Sequence, residues 1–231
     1  MRKARFTLIS VIAALGAMGI APQAKADLIF ELGTTFNGTT PSGSSPWLTA
    51  DFHTVGSGGQ VTLTLTLSPG FQNTGQFISD FAFNINSSFL PAGVTVGSPT
   101  GTSVAHTTDN GQKTPPGFGA WQGWDFVVSF PTAANQNRFN NGSVVITLTA
   151  PGLTAQDFNY LNSSTANGQP SLFVGALVQG IPGLRGTTTS GAIGTVVPEA
   201  STVVAGAGAF GLLLLGMAVN SRRSGVIRIG K

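Results

Sequence analysis

The chain has no cysteine. That excludes disulfide staples, thiol nucleophiles and the cysteine-based zinc sites, so any folded body must rest on buried apolar surface alone. Histidine is almost as scarce: His53 and His106 are the only two in 231 residues, and they are far apart. Neither sits beside a serine in a strained glycine-rich elbow, and no Gly-x-Ser-x-Gly occurs, which argues against a serine–histidine relay. Charge is thin as well, with charged side chains making up 8% of the sequence. With so few ionisable groups, opposed carboxylates for acid–base work on a glycoside would have to come from isolated residues such as Asp80 and Asp125. No catalytic residue, cofactor or metal site is expected.

The formal net charge of +3 misleads about the body of the protein. Arg2, Lys3, Arg5 and Lys25 lie at the start, and Arg222, Arg223, Arg228 and Lys231 at the end. Between Asp27 and Val197 only Lys113, Arg138 and Arg185 face seven carboxylates, three against seven, a net charge of −4. The basic residues at the ends are addressing signals, and no nucleic-acid partner is expected.

Both ends carry such signals. Arg2, Lys3 and Arg5 precede an apolar stretch from Phe6 to Ile20, and Ala24-Lys25-Ala26 follows as a small-x-small pattern. These are the three parts of a secretory signal peptide, with cleavage expected after Ala26 and with the Sec translocon and signal peptidase as partners. Residues 1–26 are thereby excluded from the fold. At the other end, Val197-Pro198-Glu199-Ala200-Ser201-Thr202 leads into Val203 to Val219, 17 residues without a charge, or 20 counted from Ala200. Twenty helical residues reach about 30 Å, the thickness of a bilayer's hydrocarbon core. Arg222 and Arg223 follow as a basic stop, which puts the C-terminus in the cytoplasm and everything before Val197 outside. A buried core helix is the alternative, but it would carry a polar face, and this run has none.

Val197, Pro198, Glu199 and Ala200, the apolar span and the Arg222–Arg223 pair together resemble the PEP-CTERM sorting tail of bacterial exported proteins. The resemblance covers about 27 residues, Val197 to Arg223. It implies recognition by exosortase, a membrane-embedded transpeptidase-like enzyme, and an association with exopolysaccharide production. Two departures stand out. Ala200 occupies a position where the family usually has proline, and eight residues, Ser224 to Lys231, trail the arginine pair. A permanent single-pass anchor is the other reading of the same tail.

The body between these signals is rich in Gly, Thr, Ser and Asn, with short apolar alternations. Val61, Leu63, Leu65 and Leu67 alternate with Thr62, Thr64 and Thr66, a strand with one wet face. Phe77, Phe81, Phe83 and Ile85 repeat the pattern, as do Trp124, Phe126, Val128 and Phe130, and Val144, Ile146 and Leu148. Weaker segments are Leu28 to Leu32, Trp47 to Val55, Val94 to Val96, Thr102 to His106 and Leu172 to Val178. About nine short strands with Pro-Gly turns between them predict an all-β, two-sheet β-sandwich or jelly-roll-like domain over 27–180. Residues 181–196 read as a stalk or a final strand, and 197–231 as the sorting tail. One short helix is expected at Leu153 to Leu161, with Thr154 as its cap and Asp157 as capping-box partner. Asp109 to Gly119 reads as an exposed loop.

Few residues are candidates for chemistry. Asp51 and His53 share a strand face at i, i+2, which is either an acid–base pair or a solvated face. Asp80 and Asp125 read as outward strand residues or backbone acceptors. Asp109-Asn110-Gly111 is a type I′ turn or part of a calcium site, though calcium needs six to eight oxygens. Trp121 and Trp124 are possible glycan-stacking platforms or core residues. The leading expectation is an exported, non-enzymatic protein of the cell envelope or matrix. A carbohydrate-binding module comes second and a glycan hydrolase last.

Overall fold

The computed structural model describes residues 27–195, apart from 73, 91–92, 98, 102–105, 114–117, 119–120, 135, 163, 166–170 and 184–185, and without the side chains of 106–113, 121–122 and 164–165. The expected signal peptide with Ala24 and Ala26, and the tail with Val197, Pro198, Glu199, Ala200, Arg222 and Arg223, lie outside the described residues. The described elements are strands and short 3-10 turns. In chain order the strands are β1 (Leu28–Leu32), β2 (Thr34–Gly38), β3 (Leu48–Thr54), β4 (Gln60–Leu67), β5 (Phe77–Phe83), β6 (Thr95–Val96) and β7 (Thr100–Gly101). They continue with β8 (His106–Lys113), β9 (Trp121–Gln122), β10 (Trp124–Ser129), β11 (Ser143–Thr149), β12 (Ser164–Thr165), β13 (Val174–Pro182) and β14 (Thr188–Thr195).

They form two antiparallel sheets packed as a sandwich. The first runs β1-β3-β4-β11, with β6 and β7 both along the outer edge of β11. The second runs β2-β14-β13-β5-β10-β8, and β9 and β12 make a separate two-stranded pair. The first sheet follows directly from its alternating residues. Register aligns Leu48 with Leu67, Ala50 with Leu65 and Phe52 with Leu63, while Leu65 faces Val144 and Leu63 faces Ile146 on the other side. All of these side chains are buried, and the intervening threonines form the outer surface. Between the sheets, the Phe52 ring lies 5.7 Å from Phe83 and 4.5 Å from Phe158. Burying each such ring is worth about 1.5–3 kcal/mol, and each aromatic pair about 0.5–1.5 kcal/mol more.

The second sheet is buried on both faces, so its periodicity is harder to read. Its inner face contributes Ile78, Phe81, Phe83, Phe126, Val128, Val174, Ala176 and Val178 to the main core. Its outer face carries a second cluster of Ala82, Phe118, Trp124, Val127, Leu172 and Leu177. Two irregularities break the expected alternations. Register between β5 and β13 slips between Leu177 and Val178, giving β5 an extra residue at Ser79, so that Ile78 rather than Phe77 joins Phe81 and Phe83 inside. Against β8, register slips between Trp124 and Phe126, and these two side chains fall into different clusters. A one-residue bulge such as that at Ser79 moves every residue before it to the opposite face.

Three further expectations are corrected or redrawn. The helix expected at Leu153 to Leu161 is a four-residue 3-10 turn, Ala155–Phe158. Its capping pair forms as read, with the Thr154 N–H donating to Asp157 Oδ2 at 2.9 Å and the Thr154 hydroxyl at 2.8 Å. Beyond the turn Asn162 clasps Leu172: its N–H donates to the Leu172 carbonyl at 2.8 Å, and its side-chain oxygen accepts the Leu172 N–H at 2.7 Å. Asp109-Asn110-Gly111 is not a hairpin turn but part of β8. Lys113 pairs with Trp124 and Asp109 with Phe126, so the two extra β8 residues are taken up as a bulge that keeps β10 hydrogen-bonded on both sides. The loop expected over 109–119 is corrected in its first part, since Asp109 to Lys113 are strand. Residues 181–196, left open between stalk and strand, hold the end of β13 and all of β14, with Ile193 in the main core.

Candidate functional site

Asp51 and His53 lie on the outer face of the first sheet, and Asp27 joins them there. The Nδ1–H of His53 donates to Asp27 Oδ1 at 2.6 Å, with side chains 57% and 39% exposed. The partner that the i, i+2 spacing nominated, Asp51, makes no such bond, and its Oδ1 is buried without a hydrogen-bond partner. Burial pushes the Asp51 carboxyl above its ordinary value; the neighbouring Asp27 carboxylate adds to this, and His53 opposes it. Sequence reasoning missed Asp27 because its position opposite His53 comes from β1–β3 register, which pairs Leu28 with Phe52, across 26 residues of chain.

Asp80 and Asp125 are each tied to a structural partner. Asp80 Oδ1 accepts the Ser129 hydroxyl and Oδ2 the Ser79 hydroxyl, both at 2.8 Å. Asp125 Oδ2 accepts the Ile85 N–H at 3.0 Å, and the Asp125 N–H donates to Asn84 Oδ1 at 3.3 Å. Desolvation raises the Asp125 carboxyl above its ordinary value, and the Ile85 N–H partly offsets this.

Trp124 is not a stacking platform for sugars. It is fully buried at 0% exposure, with its ring edge-on to Phe118 at 5.9 Å between centroids. Gly175 on β13 leaves the room it fills, since a Cβ there would meet Phe118 at 2.8 Å and Trp124 at 3.3 Å. Trp121 starts the short pair with β12, opposite Thr165.

A feature that the sequence did not single out lies where the loop after β10 returns to the second sheet. Phe139 is buried against Phe130, ring centroids 5.0 Å apart, and makes an isolated bridge with Ile78, the Ile78 N–H donating to the Phe139 carbonyl at 2.9 Å. Adjacent residues of an extended segment point to opposite sides, so Arg138 turns away from the core. Its guanidinium lies 4.3 Å above the centre of the Phe77 ring, and its Nε–H donates to the Thr132 carbonyl at 2.8 Å. Among the described residues no carboxylate pairs with it. Arg138 lines two clefts. One, of about 610 Å³, is bounded by Thr74, Phe77, Gln179, Gly183, Thr187 and Thr188 among others. The other, of about 320 Å³, is bounded by Ala134, Gln136, Asn137, Asn140 and Asn141. The one signal in the sequence was scarcity, Arg138 being one of three cations in the body of the chain.

Among the described residues no group of three or more His, Cys, Asp or Glu side chains is placed to hold a metal ion, and no helix is long and apolar enough to cross a membrane. No protein-family model, curated protein or solved structure matches the chain.

Proposed function

We propose that this is an exported, non-enzymatic protein of a bacterial cell envelope or extracellular matrix, delivered by the Sec translocon and sorted through its C-terminal tail. The observation that carries this reading is the order of elements after Val197: Pro198-Glu199-Ala200, an uncharged span, then Arg222-Arg223. In this reading an exosortase-type enzyme recognises Pro198 and Glu199, residues 203–219 form a single membrane helix held at its cytoplasmic end by the arginine pair, and the sandwich stands outside. The fold supports it in two ways. Its core closes without a disulfide, and the carboxylates nearest to a hydrolase inventory, Asp80 and Asp125, hold serine hydroxyls and a backbone N–H. Association with exopolysaccharide follows from the tail's resemblance.

Intact-mass measurement on protein recovered from its native envelope tests this. The expected species begins at Asp27 and ends near Glu199. A membrane-bound species ending at Lys231 would replace sorting by a permanent anchor, and a full-length chain in the cytosol would overturn export altogether.

A further inference from the structure

We infer that the two clefts meeting at Arg138 form a binding site for a carboxylate-bearing polysaccharide, a polyuronate chain, with Arg138 gripping a uronate carboxylate. The inference stands on the cleft's own geometry and does not depend on how the tail is processed.

The first argument is the state of Arg138. Of its five N–H donors, Nε–H holds a backbone carbonyl, and among the described residues the Nη groups have no hydrogen-bond partner. The guanidinium is half-buried and fixed on two sides, by Thr132 and by the Phe77 face. A fork already held in one orientation loses little freedom on binding, and its geometry fits a carboxylate bidentately. Among the described residues no carboxylate of the chain pairs with it.

The second argument is that the platform was built for it. Phe77 belongs to neither apolar cluster, because the extra residue at Ser79 turns it out of the core, yet it is only 5% exposed. The adjoining floor depends on Gly180, whose φ of +73° and close approach to the Gly75 carbonyl (2.8 Å from a would-be Cβ) leave no place for a side chain. The result is an aromatic ring capped by a cation, at the bottom of an open groove.

The third argument is the lining. Around Arg138 stand hydroxyls (Thr187, Thr188) and amides (Gln179, Gln136, Asn140), with Phe77 covered beneath the guanidinium. Hydroxyls and amides recognise polyols, and Arg138, the cation among the described lining residues, is placed to take a carboxylate. The larger cleft falls within the roughly 300–1,000 Å³ usual for ligand sites. Both clefts have Arg138 in their lining, and a carboxylate held there can have its sugar in either one. The hydroxyl and amide lining matches the hydroxyls of a uronate chain and has no counterpart in a polyanion without them, such as poly-glutamate.

The test uses the full-length protein in mild detergent, with polygalacturonate, the same polymer after carboxyl reduction, and poly-glutamate as competitor. Affinity electrophoresis and calorimetry are expected to show binding to polygalacturonate, at least about tenfold weaker binding to the reduced polymer, and little competition by poly-glutamate. Arg138→Gln is expected to lose at least about tenfold with an unchanged thermal midpoint, and Arg138→Lys to recover part of the loss. Thr188→Glu, an exposed cleft position on β14, adds a repelling carboxylate and is expected to give a similar loss; it decides the matter if Arg138→Gln fails to fold. No binding to polygalacturonate, equal binding of the reduced polymer, equal competition by poly-glutamate, or unchanged affinity in both variants would each overturn the inference.

Discussion

Ser129 and Asp80 face each other across β10 and β5, and the Ser129 hydroxyl donates to Asp80 Oδ1 at 2.8 Å. Asp80's other oxygen takes the Ser79 hydroxyl from the residue that makes the bulge, so one carboxylate fastens the bulge to the neighbouring strand. Ser129→Ala is expected to cost about 1 kcal/mol, and Asp80→Ala about 1–3 kcal/mol, because it strands two hydroxyls at once. Urea unfolding of the two variants measures both, and equal small losses would show that the carboxylate does not organise the bulge.

Trp124 should behave as a core residue in every respect. Trp124→Ala is expected to destabilise the fold by about 3–5 kcal/mol. Gly175→Ala, which presses a methyl against Phe118 and Trp124, is expected to cost about 1–3 kcal/mol by overpacking. Denaturant midpoints decide, and a Trp124→Ala protein as stable as the parent would refute the packing described.

Asp51 and Asp125 predict the sign of a pH effect. Both carboxyls are raised above their ordinary value in the folded state, by burial first in each case. A raised acid binds its proton more tightly folded than unfolded, so its contribution is fully present below the unfolded value and is lost as pH rises through the folded value. Asp51→Asn is therefore expected to gain stability relative to the parent as pH rises from about 4 to 7. Urea titrations at several pH values provide the comparison, and a variant-minus-parent stability that falls with rising pH would reverse the assignment.

Gly191 holds the second sheet's edge. A Cβ there would run into the Thr39 carbonyl, the residue whose N–H donates to the Ser190 carbonyl at 3.0 Å. Gly191→Ala is expected to peel β2 from β14 while leaving the first sheet intact. Hydrogen exchange should then speed up at Thr34 to Thr39 and stay slow in β4 and β11.

How much could be read in advance depended on how many faces a strand buries. β4 has one wet face, so Val61, Leu63, Leu65 and Leu67 announced its orientation without ambiguity, and the two-sheet architecture followed from strands of this kind. β5 and β10 are covered on both sides and carry bulges. There, Phe77 and Trp124 looked like members of one stripe and belong to the other face. An Asn-Gly pair such as Asn110-Gly111 signals a turn equally well when it serves a bulge, and only the pairing partner distinguishes the two. The His53–Asp27 contact and the Arg138–Phe77 stack join segments 26 and 61 residues apart, distances over which no local pattern speaks. The Thr154–Asp157 cap, being local in its logic, was read correctly, and Asp125 is the backbone acceptor that was expected, though its donor, the Ile85 N–H, lies 40 residues away.

The pairing of β13 with β14 also fixes which way the cleft points. Thr188, in the cleft, pairs with Pro182 at one end of β14, while Thr195 pairs with Val174 at the other, a separation of about 23 Å at the usual strand rise. The polypeptide leaves for residues 197–231 from the Thr195 end. In the proposed reading, where the protein is held through those residues, the Arg138 cleft lies at the end of β14 away from the attachment.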